Sequence, residues 1–153
     1  ISDSTQAIAA AREQIAALGL DAHVNLETRF LEDADSFSRL SRADALVFPY
    51  QKTAESASGA IRQALALDRP VIATPLRIFD DVDPLISRLP GTTPEAIAEG
   101  LYPIIRALRA PETGSEIATQ LRTTRMNVSR WRESHAYQEL GPRLWRQICM
   151  LAR

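Results

Sequence analysis

The stretch Ala43–Pro75, ADALVFPYQKTAESASGAIRQALALDRPVIATP, decides how the rest of the chain is read. Near its two ends stand short apolar runs, ALVFP (Ala45–Pro49) and PVIAT (Pro70–Thr74), with no polar alternation. That is the pattern of strands buried on both faces of a parallel sheet. Between them Ile61, Ala64 and Leu65 fall at helical spacing. Parallel strands need a crossover, and a helix with short connections supplies one, the βαβ unit. The residues just ahead of the helix are small, SASG at Ser56–Gly59. A helix that begins near Ser58 leaves the backbone N–H groups of Gly59, Ala60 and Ile61 without intrahelical partners, at the positive end of the helix dipole. Small side chains let a diphosphate approach such donors, which makes Ser56, Ser58, Gly59 and Ala60 candidate phosphate ligands. The site would lie at the carboxyl edge of the ALVFP strand, where open α/β sheets bind ligands. Glu55, on the loop, is placed for a sugar beside the phosphates, and Gln63, one turn into the helix, for a ribose. The same residues admit a plainer reading, in which small side chains let the helix pack close to the sheet and Glu55 is a solvated acid.

The rhythm extends outward from this unit. Upstream, Ile8, Ala9, Ile15 and Leu18 recur at helical spacing, with Asp3 or Ser4 as cap and Gly19 in the C′ position. HVNLETRF (His23–Phe30) alternates as a strand does, and Asp35 or Ser36 opens a short helix carrying Phe37, Leu40 and Ala43. Downstream, the acidic segment RIFDDVDP (Arg77–Pro84) leads to a predicted strand at Leu85–Leu89. A helix then starts with Thr93 as cap, Pro94 in its first position and Glu95 in its first turn, and Pro103 is expected to kink it. From Glu112 onward the pattern is helical, with an expected interruption near Gly141 and Pro142, and with Trp131 and Trp145 as apolar anchors. The fold class that follows is α/β, a doubly wound parallel sheet over residues 1–110 followed by a C-terminal helical segment, 111–153.

Bulk properties narrow the function classes. A chain of 153 residues with 45% hydrophobic content is long enough for one domain with a core. A formal net charge of -1 leaves no global basis for nucleic-acid binding. The single cysteine, Cys149, excludes an internal disulfide and reads as a small core residue on the last helix; it suits a reducing, cytoplasmic setting. No apolar run approaches the roughly 20 residues a membrane span needs, and no signal segment opens the chain. The sequence starts at Ile1 without a methionine and so reads as a piece of something longer. His23 and His135 lack a second ligand at metal spacing, so no metal is expected.

The run from Asp44 to Thr74 resembles the nucleotide-sugar-binding, C-terminal half of retaining glycosyltransferases of the GT-B fold, group 1 type. That family shows an apolar strand ending in Pro, a loop with a Glu, small residues, a second Glu, a helix and then "PV, apolar, A, T". The resemblance implies a Rossmann-like donor domain in which Glu55 orients the transferred sugar and the amides at Ser58–Ala60 steady the phosphates. The position of the second glutamate is Gln63, which would hold the ribose. A neutral amide contributes about 0.5–1.5 kcal/mol there against about 1.5–3 for a charged acceptor. Glycines of the family pattern are replaced by Asp68 and Arg69 ahead of PVIAT, and by Leu76 and Arg77 after it. The family's first donor-domain strands and its acceptor-binding half would precede Ile1. The expected partners are therefore a nucleoside-diphosphate sugar as donor substrate, a glycan or lipid-linked acceptor, the N-terminal half of the same enzyme and a peripheral anionic membrane surface. No cofactor is implied. The sheet is expected to be short of strands and to leave an edge that another chain could pair with.

Two other classes fit parts of the chain. SEIATQLRTTRMNVSRWRES (Ser115–Ser134) has the apolar positions of a helix-turn-helix DNA reader, in Ile117, Ala118, Leu121 and Val128, with Ser129, Arg130 and Trp131 in the recognition helix. From Ser115 onward seven arginines stand against three glutamates, a balance that would suit nucleic-acid phosphates or an anionic membrane. Asp80, Asp81 and Asp83 suggest a phosphoacceptor module, but such a site needs a lysine at the end of a neighbouring strand and the lone lysine, Lys52, falls on a loop; the plainer reading is that these acids solvate a turn.

Overall fold

The computed structural model describes residues 3–52, 57–110 and 115–151. The chain divides into two compact units, Ile1–Ser36 and Phe37–Arg153. The first contains helix α1 (Asp3–Ala17), whose end is a Schellman turn: Gly19 takes φ 65°, its N–H bonds the Ala16 carbonyl at 3.0 Å, and Leu20 N–H bonds Ile15 O at 3.0 Å. The strand expected at His23–Phe30 does not form. The segment pairs with no strand among the described residues, and its closest organisation is local, an Arg29 guanidinium on the Glu27 carboxylate at 3.1 Å. The bond from Glu27 and then its charge hold Arg29 above its ordinary range. Alternation in HVNLETRF predicts a half-buried strand only if one face has something to cover it, and Val24, Leu26 and Phe30 all stay exposed. A short helix, α2 (Asp33–Leu40), follows, with Asp33 and Asp35 in its first turn.

The second unit holds a three-stranded parallel sheet in the order β1 (Leu46–Phe48), β2 (Val71–Ala73), β3 (Ser87–Arg88). Register pairs Leu46 with Val71, Phe48 with Ala73, Ile72 with Ser87 and Ala73 with Arg88. The α/β expectation holds, and the strands run in chain order without a reversal among them; β2 is buried on both faces as expected, whereas β1 is not, since Val47 stays exposed at an edge of the sheet. Helix α3 (Gly59–Leu65) makes the β1–β2 crossover and buries Ile61, Ala64 and Leu65, the three residues its spacing singled out. A 3-10 segment, Arg77–Leu85, makes the β2–β3 crossover, burying Ile78, Phe79, Val82 and Leu85. Helix α4 (Pro94–Arg109) begins as its sequence predicts, with the Thr93 hydroxyl accepting from Ala96 N–H at 3.3 Å, and it runs on through Pro103.

Strand β2 separates two apolar clusters, because successive side chains of a strand point to opposite faces. Val71 and Ala73 join Leu46, the α3 residues and Phe79 on one side, while Ile72 joins Leu89 and Ile104 on the other. Helix α5 (Glu116–Ser134) belongs to both: Ile117 and Leu121 pack on the α4 cluster, Val128 and Trp131 on the α3 cluster. It ends where Ser134 Oγ, His135 N–H and the His135 ring all converge on the Trp131 carbonyl at 2.9–3.0 Å. The interruption therefore lies at His135–Ala136 and not at Gly141–Pro142, which sit inside helix α6 (Tyr137–Leu151). Two further expectations fail on α6: Trp145 is 67% exposed and Cys149 is exposed, so neither belongs to the core.

Gly100 shows how tightly α4 is seated. A Cβ there would stand 2.5 Å from Pro90 Cδ and 2.8 Å from Leu89 Cδ2. Helix propensity alone makes Gly100→Ala favourable by about 1 kcal/mol. The overlap outweighs it, and chemical denaturation of Gly100→Ala is expected to show a loss of about 1–3 kcal/mol.

Candidate functional site

Three connections meet at the carboxyl rim of the sheet: the β1–α3 loop, the start of the 3-10 segment, and the β3–α4 turn. Thr74, fully buried at the end of β2, ties the first two together. Its N–H bonds Phe48 O at 3.2 Å and its hydroxyl bonds Tyr50 O at 2.8 Å. Gln51 Nε2 then reaches Thr92 O at 3.0 Å, linking the β1–α3 loop to the start of α4. Phe48, Tyr50 and Phe79 pack edge to face and tilted beneath this loop, with centroids 5.3–6.4 Å apart.

Of the residues singled out from sequence, Glu55 and Ser56 lie outside the described residues. Ser58 is the N-cap of α3, with extended backbone, and its hydroxyl accepts from Ile61 N–H at 3.4 Å. That removes one of the three donors expected to be open, because the cap itself satisfies Ile61. Gly59 and Ala60 are exposed, no described residue accepts from their N–H groups, and the space about the Gly59 Cα is open. Gln63 is exposed as well, four residues after Gly59 and so on the same side of the helix. The structure thus brings Gly59, Ala60 and Gln63 to one outward surface of α3, while Ser58 is buried and structural.

Two arginines that the sequence reading passed over organise the same rim. Arg62 donates to Ser58 O at 3.0 Å and pairs with Asp81, clamping the start of α3 to the 3-10 segment. Arg88, at the end of β3, bonds Asp83 Oδ1 at 2.6 Å, Asp80 Oδ1 at 3.0 Å and Leu76 O at 2.8 Å, and lies over the Phe79 ring. The only hint in the sequence was position: a charge inside the short run Leu85–Leu89, between Ser87 and Leu89, needs partners. Asp80, Asp81 and Asp83 are therefore counterions of the rim, which displaces the phosphoacceptor reading. No cluster of metal-ligating side chains occurs among the described residues.

The helix-turn-helix reading of 115–134 is overturned. Such a motif needs a turn between its helices, and Glu116–Ser134 is one unbroken helix that passes through Arg122, with Ala118 buried and Val128 packed in the apolar cluster beside the sheet. No described helix is long and apolar enough to cross a membrane. A separate cavity of about 380 Å³ opens at the opposite, amino edge of the sheet, and none of Ser58, Gly59, Ala60 and Gln63 lines it.

Arg88 donates to two carboxylates and two carbonyls, those of Thr74 and Leu76, from a side chain only 23% exposed, so its removal orphans several groups together. Arg88→Ala is expected to lower unfolding free energy by about 1.5–3 kcal/mol, and Arg88→Lys to recover less than half, since one ammonium cannot replace the planar fork. On a duplex-DNA column the chain is expected to show no salt-dependent retention. Compared with known proteins, the chain matches no protein-family model, no curated protein and no solved structure.

Proposed function

We propose that this chain is the nucleotide-sugar-binding half of a retaining GT-B-type glycosyltransferase. In this reading Gly59 and Ala60 offer their amides to the donor diphosphate and Gln63 bonds the ribose. Glu55, four residues ahead of Gly59 in the sequence, orients the transferred sugar. The observation that carries the reading is that the run of residues bearing the resemblance, Asp44–Thr74, folds as one β1–α3–β2 unit, with Gly59, Ala60 and Gln63 exposed together. A second detail supports it. Asp68, which stands where the family pattern has a glycine, adopts φ 54°, the left-handed conformation that glycine takes without strain. The chain would keep the glycine's backbone shape with another side chain, held by Arg125 at 3.3 Å.

The chemistry follows from those roles. In a retaining transfer the leaving phosphate oxygen helps to deprotonate the incoming hydroxyl on the same face of the sugar. The protein then contributes orientation and charge stabilisation more than a base. Such a domain works with a second, acceptor-binding half, in the cytoplasm and beside a membrane surface when the acceptor is lipid-linked.

Uridine diphosphate and guanosine diphosphate, titrated into the chain and followed by amide NMR, test this directly. One of them is expected to shift Gly59 and Ala60 saturably. Gln63→Ala should weaken it about 2- to 12-fold, the range of one neutral hydrogen bond, and Gln63→Glu should tighten it. Glu55→Ala should leave diphosphate affinity unchanged and erase any gain in affinity from an attached sugar. Saturable shifts that spare α3, or none with either nucleotide, would remove the proposal.

A further inference from the structure

We infer that the cavity at the amino edge of the sheet binds a small amphipathic carboxylate, with its apolar body against Leu85, Leu108, Leu121 and Val128 and its carboxylate between Arg69 and Arg122. The volume, about 380 Å³, is within the range of small-molecule sites. Its walls are the starts of β2 and β3, the end of α4 and the middle of α5. Because α5 leans on both apolar clusters, the floor is apolar from either side of the sheet.

The mouth decides the ligand class. Three arginines and two aspartates are among the residues that line the cavity, and all but Asp68 are exposed. Asp68 is already engaged, by Arg125 at 3.3 Å and Arg132 at 3.9 Å. Arg69 instead donates to the Ser41 carbonyl at 2.5 Å, and Arg122 to the Thr119 hydroxyl at 2.9 Å. Both acceptors are neutral, and neither arginine meets a carboxylate among the described residues. An oily cavity alone would take any apolar molecule of suitable size, whereas two uncompensated guanidinium groups above it select an anion with an apolar body. Asp44, the remaining acid at the mouth, disfavours a dianion such as a phosphate monoester and leaves a monoanionic carboxylate as the best match. The cavity shares no residue with the α3 surface, so this inference and the donor-site reading fail independently.

Octanoate is the probe, titrated into the full chain and followed by amide NMR, with octan-1-ol and sulfate titrated separately. Octanoate is expected to saturate one site, shifting Val71, Ser87, Leu108 and Leu121. Arg122→Ala should weaken it by about tenfold or more, the loss of one charge-assisted bond. Ala107→Leu and Thr124→Leu each fill the cavity from a different helix and should block binding, so a folding failure in one leaves the other to be read. The inference is overturned if octanoate shifts nothing saturably, or if the shifts concentrate on Leu144 and Trp145 of α6. It is equally overturned if octan-1-ol binds as well as octanoate, since charge is then unused, or if sulfate does, since the apolar body is then unused.

Discussion

The structure depends on a strand three residues long. Val71, Ile72 and Ala73 are all but inaccessible, and they are so because each face of β2 is covered by its own apolar cluster. A strand with one wet face would need polar side chains at every second position; this one has none. That single requirement, cover on both faces, dictates a crossover helix on one side, α4 on the other, and parallel neighbours at both edges of β2. It also explains the composition of the rim. Where three parallel strands end together, their loops carry unpaired carbonyls, and Thr74, Arg62 and Arg88 are the donors that satisfy them.

The two edges of the sheet are chemically different. At the carboxyl edge, aspartates and arginines neutralise one another within the protein and leave an exposed backbone surface at the start of α3. At the amino edge, arginines outnumber their carboxylate partners and overhang an apolar recess. Exposed backbone donors suit a polar, highly oxygenated ligand, and an apolar recess with a charged lip suits an amphipathic one. A small fold can carry both because the strands hold the edges apart.

What the sequence made legible was whatever depended on local chemistry. The βαβ unit, the Thr93 cap with Pro94 behind it, and Gly19 at the end of α1 are each decided within a few residues, and each is found. What it hid depended on partners. HVNLETRF alternates like a strand, yet a strand exists only where a neighbour accepts its hydrogen bonds. Gly141–Pro142 look like a break, but a proline early in a helix deletes only one bond, while α5 stops where His135 leaves helical geometry and Ser134 Oγ and His135 gather on the Trp131 carbonyl. Trp145 and Cys149 read as core by residue type and are exposed. At the candidate site, the helix start that Ser58, Gly59 and Ala60 mark is legible from their small side chains, but that Ser58 serves as its buried cap depends on the fold. Arg62 and Arg88 were missed because a lone arginine in a sequence looks solvated until its counterions come into view.

Helix α5 sets the order in which this fold can be completed. It is a helix that touches the apolar layers on both sides of the sheet, and it comes after all three described strands. During synthesis the strands, α3 and α4 leave the ribosome with both layers still open, and the seal arrives only as Ile117 and Leu121 and then Val128 and Trp131 emerge. Until then the nascent chain exposes sticky surface on two sides at once, which makes the interval before α5 docks the moment of greatest risk from aggregation and the natural point for a chaperone to act.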